Sequence, residues 1–242
     1  MSSLHDRAAD FLRPAEPTGP VPPVEAVLFD FSNTIFRLID LEEWLRRFAE
    51  AADRTDRLEA LGSEAIARDL TETYRLPEVQ AAQKGRDLSA ERHRAAIYAW
   101  WKEVDFIRGA EDTAYANLQA PGSWVPFPDT EPVLRALHAK GIKVGIVSDF
   151  AWDPRVHLAC LGLDGLVGAC VVSFEHGREK PDPELFRLAC EALGADPAAT
   201  LMVGDNAARD GGAAAIGARA YILPARPGTG ERGLVHVLDF LP

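Results

Sequence analysis

Five short apolar runs, separated by stretches with helical periodicity, constrain the fold of this chain more than any other feature. Each run is continuously apolar rather than alternating, which is typical of parallel strands covered on both faces of a sheet. The runs are "VEAVLF" (24–29), "IKVGIV" (142–147), "ACVVS" (169–173), "TLMVG" (200–204) and "RAYIL" (219–223). Strands that alternate with helices predict an α/β fold with a doubly wound, Rossmann-like parallel sheet.

One interval between these runs is far too long for a single connecting helix. Strand-like runs are missing from 36 to 124, and helical periodicity replaces them. A first amphipathic stripe consists of Leu41, Trp44, Leu45, Phe48, Ala49 and Ala52. We therefore predict an α-helical cap subdomain at 36–124, inserted into an α/β core at 24–35 and 125–242. The proline-rich residues 1–23 are predicted to form an extended or disordered leader.

Composition excludes several classes of function. The chain has 242 residues, 47% of them hydrophobic, and a net charge of −11. This charge disfavours nucleic acid as a partner, although a metal or local basic groups can still create a site for a small anion. No apolar run approaches the roughly 20 residues that span a membrane. Cys160, Cys170 and Cys190 lack the spacing of zinc ligands, which predicts free thiols and a cytoplasmic location. For the oligomeric state, the sequence is compatible with a monomer and with a homodimer.

Polar residues that could bind a ligand or take part in a reaction follow the predicted strands. In an open α/β sheet, ligands bind beyond the carboxyl ends of the strands, so these residues are expected to converge on one edge. They are Asp30, Ser32 and Thr34 after the first run, Ser148 after the second, Lys180 beyond the third, and Asp205 and Asp210 after the fourth. Each alone is readily explained as a turn, a helix cap or a solvated side chain. Together, three carboxylates form a charged cluster that requires cations to offset it.

The order of these segments resembles the haloacid dehalogenase superfamily, in its form with a helical cap after the first strand. The four motifs of that family are matched by "FDFSNT" (29–34), "VSDF" (147–150), "REKPDPELF" (178–186) and "VGDNAARD" (203–210). The resemblance implies a hydrolase that acts on a small phosphorylated substrate. Asp30 would attack phosphorus and form an aspartyl-phosphate, while Ser148 and Lys180 would complete the catalytic set.

The same resemblance implies a ligand set. Phosphate would be bound by Asn33, Ser148, Asp149 and Lys180. Mg²⁺ would be bound by Asp30, Asp205 and the backbone carbonyl of Ser32, with Asp210 supporting that site. Such a site is needed because a phosphate monoester repels an approaching carboxylate until cations offset its charge.

Ser32 departs from the family pattern. Family phosphatases usually carry a second aspartate at this position, which protonates the leaving oxygen and later deprotonates the attacking water. A serine keeps the backbone carbonyl for the metal but removes the acid and base. A positioned acid or base contributes typically ~10²–10⁴ in rate, about 3–5 kcal/mol of barrier.

Three alternatives follow from Ser32. The first is a weak or specialised phosphatase. The second is a C–halogen or C–P bond hydrolase, since family members with those activities also lack the second aspartate. Dehalogenases, however, work without metal and usually have an aromatic residue here, and C–P cleavage would require a cap lysine such as Lys84 or Lys102. The third is a catalytically impaired protein that binds a phosphorylated ligand.

Overall fold

The computed structural model describes residues 21–225 and 229–242, so residues 1–20 of the predicted leader lie outside the described residues. Its strands, in chain order, are β1 (Ala26–Phe29), β2 (Phe36–Leu38), β3 (Trp124–Pro126), β4 (Lys143–Ser148), β5 (Ala169–Val172), β6 (Thr200–Gly204) and β7 (Arg219–Ile222). The five predicted strands all form, and each begins and ends within two residues of its apolar run. The short strands β2 and β3 were not predicted, because three residues are too few to show a period.

Five strands build one sheet in the order β5-β4-β1-β6-β7, and all four neighbouring pairs are parallel. The central strand β1 places Val27 opposite Val144 of β4 on one side and Leu201 of β6 on the other. Because β1 has neighbours on both edges, its four residues are completely buried. This arrangement confirms the predicted α/β fold with a parallel, Rossmann-like sheet. β2 and β3 form a separate two-stranded sheet.

The helices complete the list of elements. In chain order they are α1 (Leu41–Ala51), α2 (Thr55–Leu61), α3 (Ser63–Tyr74), α4 (Pro77–Ala82), α5 (Ala90–Trp101), α6 (Glu111–Gln119), α7 (Thr130–Ala139), α8 (Arg155–Ala159), α9 (Ser173–His176), α10 (Pro183–Leu193) and α11 (Ala207–Asp210). Short 3₁₀ turns occupy Arg86–Leu88, Pro121–Ser123, Asp164–Leu166, Pro197–Ala199, Gly211–Ile216 and Leu234–Phe240.

The stretch "RDGGAAAIGA" (209–218), which follows the fourth apolar run, has a pattern that predicts one helix. In the structure it is divided between α11 and the 3₁₀ turn Gly211–Ile216. Gly212 explains part of this difference. A Cβ on Gly212 would lie 2.6 Å from the Pro181 carbonyl oxygen, so the turn packs directly against the backbone of another segment. The sequence pattern of small residues does not reveal such a close approach.

The described residues form two compact units, one made of Leu38–Val125 and the other of 21–37, 126–225 and 229–242. The larger unit contains the sheet, and α10 packs on it through Leu185, Phe186 and Ala189, which contribute to a core with Leu28 and Met202. No helix among residues 21–225 and 229–242 has the length and apolar character needed to cross a membrane.

The smaller unit, Leu38–Val125, has its own hydrophobic core. The rings of Trp44 and Phe48 stack with their centroids 5.7 Å apart, and the Trp101 ring lies 5.7 Å from that of Trp44. Burying three aromatic side chains of this size dominates the stability of a small core. Tyr98 and Trp100 are half-buried and pack against the same cluster. The aromatic "YAWW" run of α5 therefore serves mainly as core.

Candidate active site

The carboxyl ends of three neighbouring strands bring the predicted site residues together. Asp30 directly follows β1, and its N–H donates to the carbonyl of Val203 in β6 at 2.9 Å. Ser148 is the last residue of β4, and Asp205 directly follows β6. Parallel strands point their carboxyl ends at the same edge, so side chains distant in sequence meet there.

Lys180 is the centre of this cluster. Its ammonium Nζ lies 2.9 Å from Asp30 Oδ1 and 2.6 Å from Asp210 Oδ1, and its side chain is only 2% exposed. Burial lowers the pKa of Lys180, but Asp30, Asp210 and Asp149 together more than offset this and hold the pKa above its usual range. Lys180 is therefore a permanent cation that links two carboxylates.

The Asp30 carboxylate is held on one of its two oxygens. Asp30 Oδ1 accepts a hydrogen bond from the N–H of Phe31 at 2.7 Å in addition to its contact with Lys180. Burial raises the pKa of Asp30 to about 6, with Lys180 opposing the rise and Asp210 adding to it. Near neutral pH the carboxylate is mostly ionised and thus able to act as a nucleophile or a metal ligand.

Asp210 uses both of its oxygens within the protein. Oδ1 contacts Lys180, and Oδ2 accepts a hydrogen bond from the N–H of Asn206 at 2.9 Å. Gly204 makes room for this carboxylate, because a Cβ at that position would lie 2.1 Å from Asp210 Cγ. Asp210 therefore positions Lys180 and the start of α11, which agrees with a supporting place in the metal site.

The donor set fits a divalent cation. Asp30, Asp205 and Asp210 each offer a carboxylate oxygen, and these oxygens lie within 4.8 Å of one another. Burial raises the pKa of Asp205, and the nearby Asp210 raises it further. Three carboxylates against one lysine leave an excess of negative charge, and oxygen ligands of this kind are those that Mg²⁺ prefers.

The loop Asp30–Thr34, which we call the nucleophile loop after the role predicted for Asp30, offers a further oxygen. In the described part of the chain, no hydrogen bond reaches the backbone carbonyl of Ser32. Asn33 has a left-handed backbone with φ of 57°, and its N–H donates to the carbonyl of Phe36 at 2.7 Å. This tight turn leaves the Ser32 carbonyl available as a ligand.

Two buried hydroxyl groups in this region lack a partner among the described residues. Ser148 Oγ and Thr34 Oγ1 are both shielded from solvent and neither makes a hydrogen bond. An unsatisfied buried hydroxyl costs about 1–3 kcal/mol. Ser148 lies at the end of β4, where the hydroxyl could donate to an anion, which fits its predicted contact with phosphate.

Asp149, predicted to bind phosphate, uses its carboxylate elsewhere. Oδ1 accepts a hydrogen bond from the backbone N–H of Lys180 at 2.8 Å, and Oδ2 lies 2.7 Å from Nη1 of Arg209. The side chain thus holds the segment that carries Lys180. Asn33 is exposed, and its side chain is accessible to a ligand.

Sequence reasoning missed Asp129 and Arg232. The buried guanidinium of Arg232 donates through Nε to the carbonyl of Asn33 at 2.7 Å. Asp129 accepts hydrogen bonds from three consecutive N–H groups that begin at Arg232. The sequence carried no signal for this, because the bonded residues are about 100 to 200 positions apart and belong to no motif.

Known proteins resemble this chain over most of its length. A family model described as haloacid dehalogenase-like hydrolase matches residues 24–217. The chain is 31% identical over 201 residues to a glyceraldehyde 3-phosphate phosphatase of Methanopyrus kandleri, covering 77% of this chain and 78% of the relative. It is 35% identical over 113 residues to a phosphoserine phosphatase of Thermus thermophilus, and this alignment covers 46% of this chain and 45% of the relative.

Solved structures share the fold. A HAD phosphatase from Thermococcus onnurineus superposes with a TM-score of 0.58 at 24% identity, covering 89% of this chain and 97% of the other. A 2-haloacid dehalogenase from Pseudomonas syringae pv. Tomato DC3000 gives a TM-score of 0.57 at 19% identity, covering 90% and 97%. The same fold thus occurs in proteins named for two different reactions, and fold alone does not choose between them.

Proposed function

Because this chain belongs to the haloacid dehalogenase-like hydrolase family, we propose that it is a Mg²⁺-dependent phosphatase for a small phosphorylated metabolite. The observation that carries this proposal is the buried Lys180 ammonium between Asp30 and Asp210, with an Asp205 oxygen within 4.8 Å of theirs. A dehalogenase working without metal would have to keep these carboxylates close together with Lys180 alone as a counter-charge.

The first chemical step is attack by Asp30 on phosphorus. A P–O bond forms to the Asp30 carboxylate, the bond to the ester oxygen breaks, and the leaving group departs with the bonding electrons. Lys180 offsets the charge of the attacking carboxylate, and the Ser148 hydroxyl donates to a phosphoryl oxygen. Water then attacks the phosphorus of the aspartyl-phosphate, which releases inorganic phosphate and restores Asp30.

The metal would be held by the carboxylates of Asp30 and Asp205 and by the carbonyl of Ser32, with Asp210 in support. When bound, Mg²⁺ supplies positive charge that lowers the repulsion between the phosphate and the carboxylates. The protein contributes the fixed orientation of these groups, because Asp30 Oδ1 is tied to Phe31 N–H at 2.7 Å and Asp210 is tied to Lys180 at 2.6 Å.

Ser32 makes the proposed reaction dependent on the leaving group. A serine hydroxyl is not acidic enough near neutral pH to protonate a departing alkoxide. Aryl and acyl phosphates have leaving groups that are stable as anions and need no proton. We therefore expect faster turnover of aryl and acyl phosphates than of alkyl phosphates, by up to the ~10²–10⁴ that a positioned acid provides.

The test is a panel of phosphate esters assayed for phosphate release with and without Mg²⁺, alongside thermal unfolding of the same samples. The panel includes aryl, acyl and alkyl esters. Glyceraldehyde 3-phosphate belongs in it, because a relative carries that name and the compound is an alkyl phosphate. Turnover that requires Mg²⁺ and disappears in Asp30→Asn supports the proposal. Turnover that persists in Asp30→Asn would show that another group is the nucleophile.

Other outcomes of this panel point to the alternatives. Ligand-induced stabilisation without turnover on any ester would indicate a protein that binds a phosphorylated ligand. Halide release from haloacids without Mg²⁺ would indicate dehalogenation, and phosphate release from phosphonates would indicate C–P cleavage. A turnover rate independent of the leaving-group pKa would contradict the consequence drawn from Ser32.

A further inference from the structure

The C-terminal segment of the chain reaches the nucleophile loop through one buried arginine. Arg232 is 3% exposed, and its Nε donates to the Asn33 carbonyl at 2.7 Å. Its Nη1 donates to the carbonyl of Pro224, also at 2.7 Å. An arginine donates from a planar fork, so two bonds in fixed directions set the position of both acceptors.

Asp129 holds the backbone of this arginine in place. Its Oδ1 accepts the N–H of Arg232 at 2.9 Å, and its Oδ2 accepts the N–H groups of Gly233 at 2.8 Å and Leu234 at 2.7 Å. Gly233 has φ of 90°, the left-handed backbone that lets three successive N–H groups surround one carboxylate. Leu234 and Val237 are fully buried, which anchors the rest of the segment.

The hydrogen bond from Arg232 to the Asn33 carbonyl also restrains the peptide group between Ser32 and Asn33. Asn33 is now restrained at both ends, by Phe36 at its N–H and by Arg232 at its carbonyl. The N–H of Asn33 and the carbonyl of Ser32 belong to one planar peptide and point in opposite directions. Fixing Asn33 therefore fixes the direction of the Ser32 carbonyl.

We propose that Arg232 is a positioning residue that holds the Ser32 carbonyl in the orientation of a metal ligand. The proposal rests on the proposed metal-dependent function and assigns part of that site to the C-terminal segment. Without Arg232, the Asn33 carbonyl loses its charged donor and the left-handed residue is free to rotate. The Ser32 carbonyl then samples other directions, and the site binds the metal less tightly.

The experiment compares Arg232→Met, Arg232→Lys and Arg219→Met with the parent. Arg219 is the matched control, because it also donates to a proline carbonyl, that of Pro22 at 3.0 Å, but lies at the edge strand β7. Three quantities are measured: amide hydrogen exchange of a peptide covering 30–36, the Mg²⁺ concentration that gives half of the maximal thermal stabilisation, and kcat and KM separately.

Arg232→Met is expected to exchange about tenfold faster in the loop peptide and to need about tenfold more Mg²⁺, the lower end of the range for partners of metal ligands. kcat should fall at saturating substrate while KM changes little. Arg232→Lys keeps the charge but not the fork, so it should lie between Met and the parent. Arg219→Met should match the parent in all three quantities.

Loop exchange and a Mg²⁺ midpoint equal to those of the parent in Arg232→Met would overturn the proposal. If Arg232→Met does not fold, Arg232→Lys carries the test, and parental values in that variant overturn it equally. Asp129→Asn adds a second route, since it weakens the anchor without touching the loop, and it should shift exchange in the same direction. A parent that binds Mg²⁺ but turns over no ester would refute the phosphatase function while the exchange and midpoint data still decide the role of Arg232.

Discussion

At the scale of single residues, the proposed function makes the side chain at position 32 the one that decides which leaving groups can depart. The rest of the nucleophile loop is ordered by hydrogen bonds, with Phe31 N–H on Asp30 Oδ1 and Arg232 on the Asn33 carbonyl. Ser32 is only partly buried, so a larger side chain can be placed there without filling a closed core. The site therefore lacks one acidic side chain, whereas the backbone of the loop around it is ordered.

Ser32→Asp should raise the turnover of alkyl phosphates, by up to ~10²–10⁴ if the new carboxyl reaches the ester oxygen. Aryl phosphates should gain little in kcat/KM, because their leaving groups need no proton and kcat/KM does not include the later attack of water on the aspartyl-phosphate. The measurement is kcat/KM for a matched alkyl and aryl pair. Ser32→Asn is the control, since it has the shape of aspartate without its acidity.

A gain in Ser32→Asn as large as that in Ser32→Asp would contradict the acid role and point to shape or loop order instead. No gain in either variant, with the fold intact, would mean that another group already serves as acid and base.

The residues of the site divide into those a sequence can predict and those it cannot. Asp30, Ser148 and Asp205 were predictable, because each stands at the carboxyl end of an apolar run and a parallel sheet brings such ends together. Arg232 was not, because its bond to Asn33 spans 199 positions and lies outside any periodic element. The part of Asp149 that the sequence did not predict is its side-chain role, in which Oδ1 accepts the N–H of Lys180 and Oδ2 pairs with Arg209.

At the scale of elements, the three central strands β4, β1 and β6 each supply a residue of the candidate site. The helices of the smaller unit contain a buried polar contact of their own. His93 on α5 is buried, and its Nδ1 lies 2.8 Å from the hydroxyl of Tyr115 on α6. Burial, together with the positive charge of Arg86, lowers the pKa of His93 to about 3. The imidazole is therefore neutral near pH 7 and shares a hydrogen bond with the Tyr115 hydroxyl.

Tyr115→Phe should destabilise the protein by about 1–3 kcal/mol, because the buried His93 ring loses its hydrogen bond to the Tyr115 hydroxyl. The measurement is the free energy of unfolding in urea near neutral pH. Tyr74→Phe is the matched control, since its ring packs 4.8 Å from Trp100 in the same unit and no hydrogen bond to its hydroxyl occurs in the described ranges.

The control should change the free energy of unfolding by less than about 0.5 kcal/mol. An equal loss in both variants would mean that ring packing rather than the contact with His93 is being measured.

Helix boundaries show the same division between local and distant causes. The apolar face of α1 was predictable from the sequence because its apolar residues repeat every three to four positions. The division of 209–218 into α11 and a 3₁₀ turn was not, because it depends on Gly212 lying against Pro181. The β2–β3 pair was also not predicted, because pairing between residues almost ninety positions apart produces no periodic pattern in the sequence.

At the scale of the whole molecule, the carboxylate cluster links stability, pH and metal. The folded protein raises the pKa of Asp30 from 3.8 to about 6, mainly by burial. Between these values the folded state binds more protons than the unfolded state, so stability falls as pH rises through this window. The loss amounts to at most about 3 kcal/mol at 1.36 kcal/mol per pKa unit.

In the proposed function Mg²⁺ binds the ionised Asp30 carboxylate and competes with that proton, so its stabilising effect should grow as Asp30 ionises. We expect the Mg²⁺-induced rise in Tm to be larger at about pH 7 than at about pH 5. The measurement is thermal unfolding with and without Mg²⁺ at both pH values. In Asp30→Asn the dependence on pH should become weaker, because the titrating group is gone. Equal shifts at both pH values in the parent would contradict the coupling.

Gly204 has a consequence for how sequence variants of this protein are interpreted. It does not adopt a positive φ, so nothing in its own backbone torsion demands glycine, yet a Cβ would lie 2.1 Å from the Asp210 carboxylate. In a saturation mutagenesis screen, position 204 should therefore be as intolerant as the nucleophile itself. Loss of function at position 204 would then have a steric cause. Without the structure, it could not be told apart from the loss of a catalytic residue.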